Sequence, residues 1–252
     1  MTQKAIEIFK NRPKHTNCYV TYNRFLNLIN SELFYIIDNN IFILKSENGI
    51  FKFLYFVDSL EDIEKSNIFL KNINTPIALE FVTKDIKNIP KFEDFGFIFY
   101  KVFSRYSVLK KDRIPPKRKS KDVKLANITD IPEIYKIAQL VFDPLCDFIP
   151  KISELEKFVQ KNELYIIKKS EILGFALYIK QLYGYDFRIN CVAPKYQSKL
   201  IGYKLVANLP TDGNKCICWV DDNNLAAIRL NESIGFNKDG LKNYIFIRNN
   251  DN

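Results

Sequence analysis

Between Lys110 and Lys121 the chain gathers seven lysines and arginines against one acid, Asp112, and sets the pair Pro115-Pro116 among them. Like charges at this density resist burial, proline cannot donate to a helix or a sheet ladder, and no apolar period runs through the segment. It therefore predicts a boundary: residues 1–109 as one domain, 110–122 as a basic linker and 123–252 as a second domain. Most of the net charge of +9 sits in this stretch. A solvated, extended linker is the favoured reading over a contact for phosphate or nucleic acid, because no aromatic residues interleave the run to stack on bases.

A hydrophobic fraction of 47% supports a normal core, and no run of 18 apolar residues occurs. The opening MTQKAIEIFKNRPKH has no apolar stretch long enough for a secretory signal. A soluble, cytoplasmic protein with no membrane partner is expected. The five cysteines are odd in number and scattered, which argues against a disulfide framework. Cys216 and Cys218 would share one face of a strand as small hydrophobes. One histidine, His15, leaves no multi-histidine metal site and makes a serine-histidine triad improbable, so no metal is expected.

In the first half a helix is expected around Phe25, Leu26 and Ile29, then strands LFYII, IFILK and FKFLYFV, with the hairpin signal Asn48-Gly49 between the last two. Ser59 and Asp62 have capping-box spacing and open a helix that would turn Ile63, Ile68, Phe69 and Ile73 inward. PIALEFV, FEDFGF and the aromatic strand IFYKVFSRYSVL close the half. The second half reads as a short strand VKLANI, a helix begun at Thr129-Asp130 with Pro132 in its first turn, and a break at Asp143-Pro144. A helix around Leu155 and Phe158 follows, then strands ELYIIKK, ILGFALYIK and DFRINCVA. A helix from about Ser198 to Asn208, strand CICWV, helix LAAIRLNESI and strand NYIFI complete a mixed α/β series.

The segment Asn190 to Gly202 carries the chemistry. A strand stops at Pro194, turns, and enters a helix whose first N–H groups point outward with the positive end of the dipole behind them, an arrangement that cradles phosphate. Gly202 removes a side chain near that backbone, and Lys199 adds charge at the rim. A plain strand-to-helix connection would use the same residues. A second segment lies downstream, from Asn224 through Ala227, Leu230, Asn231 and Gly235 to Phe236.

Together the two segments resemble the GNAT (Gcn5-related N-acetyltransferase) superfamily, whose motifs read V-x-P-x-Y-(Q/R)-x-x-G-x-(G/A) and N-x-x-A-x-x-L-Y-x-x-x-G-F. Val192, Pro194, Tyr196, Gln197 and Gly202 fit the first; Asn224, Ala227, Leu230, Gly235 and Phe236 fit the second. The resemblance implies an α/β (α+β) fold with a mixed, mostly antiparallel sheet flanked by helices. It implies that acetyl-CoA serves as cosubstrate, its pyrophosphate held by backbone N–H groups of the loop Gln197, Ser198, Lys199, Leu200, Ile201 and Gly202, with Tyr203 next in the helix. Backbone groups near Cys191 and Val192 would pair with the pantetheine arm, Asn224 would hold the coenzyme from the following helix, and an N–H near Val192 would face the acyl oxygen. The acceptor would be a primary amine of a small molecule, peptide or protein.

Three positions depart from the pattern. Leu200 stands where the family has glycine; Asn231 replaces the tyrosine that protonates the departing thiolate; and Arg188, Ile189 and Asn190 stand where a strand glutamate is usual. The nearest carboxylate, Asp186, reads as an exposed strand-end residue first and a general base second. Asp143 and Asp147, between the first two helices, would attract an ammonium group or simply solvate a loop, and Cys146 has no histidine near it to activate it. These departures keep a second reading open, a catalytically silent coenzyme A-binding or regulatory protein, with a nucleic-acid binder through residues 110–121 as the third. The first half repeats the element order of the second, with Phe95-Gly96-Phe97 in the place of Ile234-Gly235-Phe236. FVDSLEDIEK carries acids and no glycine at the phosphate loop, so a second, degenerate GNAT-like subdomain that binds no coenzyme A is expected.

Overall fold

The computed structural model describes residues 1–115, 119–197, 199–208, 210 and 212–249. Helix α1 (Thr2–Lys10) buries Ala5 and Ile8, one turn apart, and was not foreseen. Strand β1 (His15–Thr16) precedes α2 (Tyr22–Ser31), which buries Phe25 and Ile29 at the expected spacing. Strands β2 (Leu33–Ile37), β3 (Asn40–Glu47) and β4 (Ile50–Val57) form a meander. Asn48 and Gly49 both take positive φ, 52° and 83°, as a two-residue hairpin turn demands.

Ser59 and Asp62 close the expected capping box, but the helix they open is a 3₁₀ segment, Leu60–Ser66, followed by four residues of α3 (Asn67–Leu70). A turn of three residues brings Ile63, Ser66 and Phe69 inward and leaves Ile68 63% exposed, where an α-helical period had placed it in the core. Strands β5 (Ile77–Thr83) and β6 (Ile98–Leu109) end the half.

Beyond the basic segment come β7 (Val123–Leu125), α4 (Ile131–Val141), α5 (Ile152–Gln160), β8 (Leu164–Lys168), β9 (Ile172–Gln181) and β10 (Gly184–Val192). Helix α6 (Ile201–Val206) starts later than the sequence suggests, and Ser198 lies outside the described residues. Strand β11 (Lys215–Asp221), α7 (Leu225–Glu232) and β12 (Asn237–Arg248) complete the chain.

Two compact units result: Met1–Val102 with Pro144–Cys146 and Lys242–Asn252, and Phe103–Asp143 with Asp147–Leu241. Strand pairing, not the charged segment, sets this division. Lys242 to Arg248 pair with β5, and Phe103 to Leu109 pair along the whole of β11. Each unit is mixed α/β with a mostly antiparallel sheet flanked by helices.

The first unit's sheet runs β2-β3-β4-β5-β12. Only β4 and β5 are parallel, over three rungs from Phe51–Ile77 to Phe53–Leu79, after which both strands continue but no longer pair with each other. The chain fills the opening itself. β1 pairs with Val57 and Phe56, while Asn17 Nδ2 donates to Phe53 O (2.9 Å) and Glu80 O (3.2 Å) and Asn17 Oδ1 accepts from Tyr55 N (3.0 Å). Helices α1 and α2 pack Ile8 and Phe25 with Ile41, Ile43 and Phe56, and residues 60–70 pack Ile63 and Phe69 with Phe42 and Tyr55.

The second unit's sheet runs β6-β11-β10-β9-β8-β7. Helices α4 and α5 bury Ile134 and Leu155 with Phe175, Ile189 and Cys191; α6 buries Ile201 and Leu205 with Tyr178, Phe187 and Cys218. The start of the basic segment is docked rather than free. Lys110 N donates to Asn214 O (2.8 Å), the Arg113 guanidinium to Pro210 O (3.1 Å) and Gly213 O (3.0 Å), and Ile114 N to Ile234 O (3.2 Å). Among the described residues no helix is long and apolar enough to cross a membrane.

Candidate active site

The site is built on β10 and β11. They pair in parallel at Gly184–Lys215, Tyr185–Cys216 and Asp186–Ile217, and there the ladder ends, although β10 runs on to Val192 and β11 to Asp221. A bulge on the other side of β10 accompanies the parting: Phe187 opposes Tyr178 and Ile189 opposes Leu177, which leaves Arg188 as an extra residue. The bulge inverts the alternation of faces. Tyr185 and Phe187 pack on the α6 side, whereas Ile189 and Cys191 pack on the α4 and α5 side.

Asp186, on the last paired rung, therefore shares a face with Ile189 and Cys191. It is 4% exposed, not the exposed strand-end residue that its position in the sequence suggests, because the sheet continues past it on both sides. Burial raises its pKa, and the neighbouring Arg188 opposes that rise; Arg188 Nη2 donates to Asp186 Oδ2, while Asp186 Oδ1 has no hydrogen-bond partner among the described residues. The Arg188 guanidinium also lies 5.7 Å from the ring centroid of Phe148. In the same loop Asp147 Oδ2 accepts from Asp143 N (2.9 Å), and Asp147 N donates to Asp143 O (2.8 Å). The Asp147 carboxylate thus closes its own loop. It lies near enough to Cys191 to add to the effect of burial, and together they push that thiol up to about 12.

On the opposite face Asn190 Nδ2 donates to Gly202 O (3.3 Å), while Asn190 Oδ1 is buried without a partner among the described residues. Gly202 faces Asn190, Val192 and Leu230, each 3.6 Å from where a Cβ would stand, so its missing side chain serves the strand side of α6. The turn before α6 exposes Gln197, Lys199 and Leu200, and half-buried Tyr196 donates its hydroxyl to Glu171. Lys195, ion-paired with Glu171, and Lys199 each hold an ammonium 5.2 Å from the Tyr196 ring centroid. Leu200, in the family's glycine position, has φ 58° and ψ 14°, the left-handed backbone that glycine adopts without strain. Ile201 is buried, Tyr203 is exposed, and Val192 packs half-buried beside α6.

Asn224 is the N-cap of α7, its Oδ1 accepting from Ala227 N (3.0 Å). Asn231 is 5% exposed and its amide is engaged at both ends, donating to Ala227 O (2.8 Å) and accepting from Cys218 Sγ (3.5 Å). The structure thus brings Asp186, Cys191, Val192 and Gly202 to the parting strands, and places Asn231 in the packing beneath α7. Sequence reasoning noted Arg188 and Asn190 only as standing where a glutamate is usual, and passed over Trp219. Trp219 stands two residues past Ile217 on the same face of β11, with Arg105 at 5.9 Å over its ring and ion-paired to Asp239 (2.7 Å). A single tryptophan in the chain was the available signal.

No family model matches the sequence, and no curated protein matches it. Solved structures do. A GCN5-related N-acetyltransferase from Sphaerobacter thermophilus aligns with TM-score 0.62 at 10% identity, over 84% of this chain and 77% of that one. A GCN5-related N-acetyltransferase from Kribbella flavida aligns with TM-score 0.57 at 11% identity, over 89% and 92%. A GNAT-family acetyltransferase from Colwellia psychrerythraea aligns with TM-score 0.55 at 11% identity, over 98% and 96%. At these identities the likeness is one of fold, and the fold is that of the GNAT acetyltransferases.

Proposed function

We propose that the chain is an N-acyltransferase that moves an acetyl group from acetyl-CoA to a primary amine of a small molecule, peptide or protein. The observation that carries this reading is the parallel ladder that stops at Asp186–Ile217 while both strands continue. The residues around the opening fit such a cosubstrate: among the described residues, main-chain groups of β10 beyond Asp186 have no ladder partner on β11 and Asn190 Oδ1 is buried without a partner, and Gly202 leaves space beside Val192. Lys199, Leu200 and Ile201 would hold the pyrophosphate with their N–H groups and Lys199 would add charge, whereas the Gln197 N–H donates to Pro194 O (3.3 Å) and would have to leave that bond to join them. Cys191 and Val192 would pair with the pantetheine arm, and Asn224 would contribute from the start of α7.

Bound acetyl-CoA supplies a thioester carbonyl to the acceptor. The amine nitrogen bonds to the acyl carbon and gives its proton to Asp186, the thioester C–S bond breaks, and coenzyme A leaves as a thiolate that takes a proton from water; burial raises the proton affinity of Asp186 toward that task, and Arg188 holds it in place. Asp143 and Asp147 would guide an ammonium group toward it. Cys191 is no acyl carrier, because a thiol with a pKa of about 12 is not a thiolate at neutral pH, so transfer to the amine is direct. No proton is assigned to Asn231. Its engaged amide favours the second reading, a coenzyme A-binding protein without catalysis. The first unit serves as a degenerate copy that binds no coenzyme A, a role supported by Asn17 and β1 occupying the gap between β4 and β5. Acetyl-CoA added to the purified protein should raise its melting temperature, and an amine panel should release free thiol. Binding without thiol release would select the silent reading, and no binding by folded protein would end both.

A further inference from the structure

In the first unit, the end of α1, the loop that follows it, β1 and the start of α2 border a cavity of about 530 Å³. Its apolar wall is aromatic. Phe9 meets Phe56 edge-on, ring centroids 5.6 Å apart, and is backed by Phe25, which stacks on it at 4.0 Å. Tyr19 and Tyr22 also border the cavity and are 86% and 39% exposed, so their rings are open to a ligand. An exposed ring offers apolar area at small entropic cost, which suits it to stacking on a flat partner.

The charges in the wall have one sign. Lys10 and Arg12 border the cavity, and no acid does among the described residues. Both side chains are exposed, and neither forms an ion pair among the described residues. The Lys10 ammonium stands 5.6 Å from the Tyr22 ring centroid, so cation and ring adjoin. The bias extends beyond the wall: residues 1–24 carry five lysines and arginines against one acid, Glu7, and the first turn of α2 holds no acid. Arg12 also has φ 55°. Of the five described non-glycine residues with positive φ, three are asparagine or aspartate, which reach that backbone readily. Arginine does not, and its place there points to a use for its side chain. Paired cations beside open rings attract an anion that itself carries a ring. We propose that this cavity binds a small aromatic anion, its phosphate or carboxylate on Lys10 and Arg12 and its ring among Phe9, Tyr19 and Tyr22. The site lies within the first unit and does not rest on the acyl-transfer reading.

The test titrates the full chain separately with phenyl phosphate and with benzoate, following the backbone amide resonances of Cys18 and Tyr19 by ¹H–¹⁵N correlation spectroscopy. Inorganic phosphate, which has the charge without the ring, and benzyl alcohol, which has the ring without the charge, are the controls. Saturable movement with an aromatic anion and not with either control is expected, and the tighter of the two probes tells whether the head is a phosphate or a carboxylate. Lys10→Gln and Arg12→Asn should each weaken that binding about fivefold. Both positions are exposed, and asparagine takes the left-handed backbone more easily than arginine, so both variants should fold. Unmoved resonances with both aromatic anions, an equal response to either control, or unchanged affinity in the two folded variants would each overturn the proposal.

Discussion

Gly235→Ala tests whether the basic segment is docked on the second unit. Gly235 has φ 94°, and an added Cβ would stand 2.5 Å from Asp112 O and 3.2 Å from Ile114 N. Ordinary contact begins at 3.4 Å, so residues 112–114 would have to retreat by roughly 0.9 Å. The left-handed backbone costs a non-glycine residue about 1–2 kcal/mol. Overpacking adds about 1–3 kcal/mol, and loss of the Ile114 N to Ile234 O hydrogen bond about 1 kcal/mol. A total near 4 kcal/mol corresponds to a fall in melting temperature of roughly 8–16 °C for a chain of this length. Gly240→Ala is the internal control, because Gly240 has φ 87° with nothing within 4 Å of the added carbon. It should lose only the backbone contribution, about 1–2 kcal/mol. Urea denaturation followed by circular dichroism gives both values. Equal losses within about 0.5 kcal/mol would refute the docked segment.

Asp186→Asn should abolish most acyl transfer, about a hundredfold or more, and yet stabilise the fold at neutral pH. A carboxyl whose folded pKa is raised by burial stabilises the fold relatively at low pH and loses that contribution as pH rises through the folded value, so the advantage of asparagine should vanish as pH falls below the ordinary aspartate range. A variant less stable than the parent at pH 7 would contradict this. Leu200→Gly removes left-handed strain of about 1 kcal/mol and adds slightly less in unfolded-chain freedom, so stability should rise by up to about 0.5 kcal/mol while acetyl-CoA binds more tightly. Weaker acetyl-CoA binding in this variant would count against the turn as a phosphate cradle. Native protein titrated with a thiol reagent at pH 8 should react at Cys146 alone: burial pushes the thiol of Cys18 up to about 11 and those of Cys191 and Cys216 up to about 12, and raises that of Cys218 well above its usual range. Two or more fast thiols would show that the core opens.

Local chemistry was legible in the sequence. The Asn48-Gly49 turn, the capping box at Ser59 and Asp62, and the order of strands and helices in the second half all rest on neighbours within a few residues, where propensity decides. What escaped depends on distant partners. Ile68 faces outward because the 3₁₀ turns that precede it, Leu60–Ser66, shift the face that the short α3 presents, and a 3₁₀ period looks α-helical over so short a span. Asp186 is polar and near a glycine, which reads as an exposed end; its burial follows from strands β9 and β11 on either side. Asn17 looks like any loop asparagine, and its bonds reach residues 36 and 63 positions away. The docking of the charged segment's start escaped because Arg113 finds carbonyl partners about a hundred residues downstream. At the candidate site the two motifs pointed to the end of β10 and the turn before α6, but the residue types at Leu200 and Asn231 gained meaning only with backbone angles and hydrogen bonds in view.

Arg188 makes the count of residues along β10 odd where its partner's is even, and the facing of the strand beyond it depends on that parity. Excise that one residue and Ile189 and Cys191 would swing to the side where α6 packs, Asn190 and Val192 would rotate away from it, and the strand would be free to zip against β11 along its full length. The slot between the strands is thus held open by arithmetic in the chain. Substitutions at this position leave the parity intact, whereas loss of this one codon would shift the facing of every residue beyond it while leaving their identities unchanged.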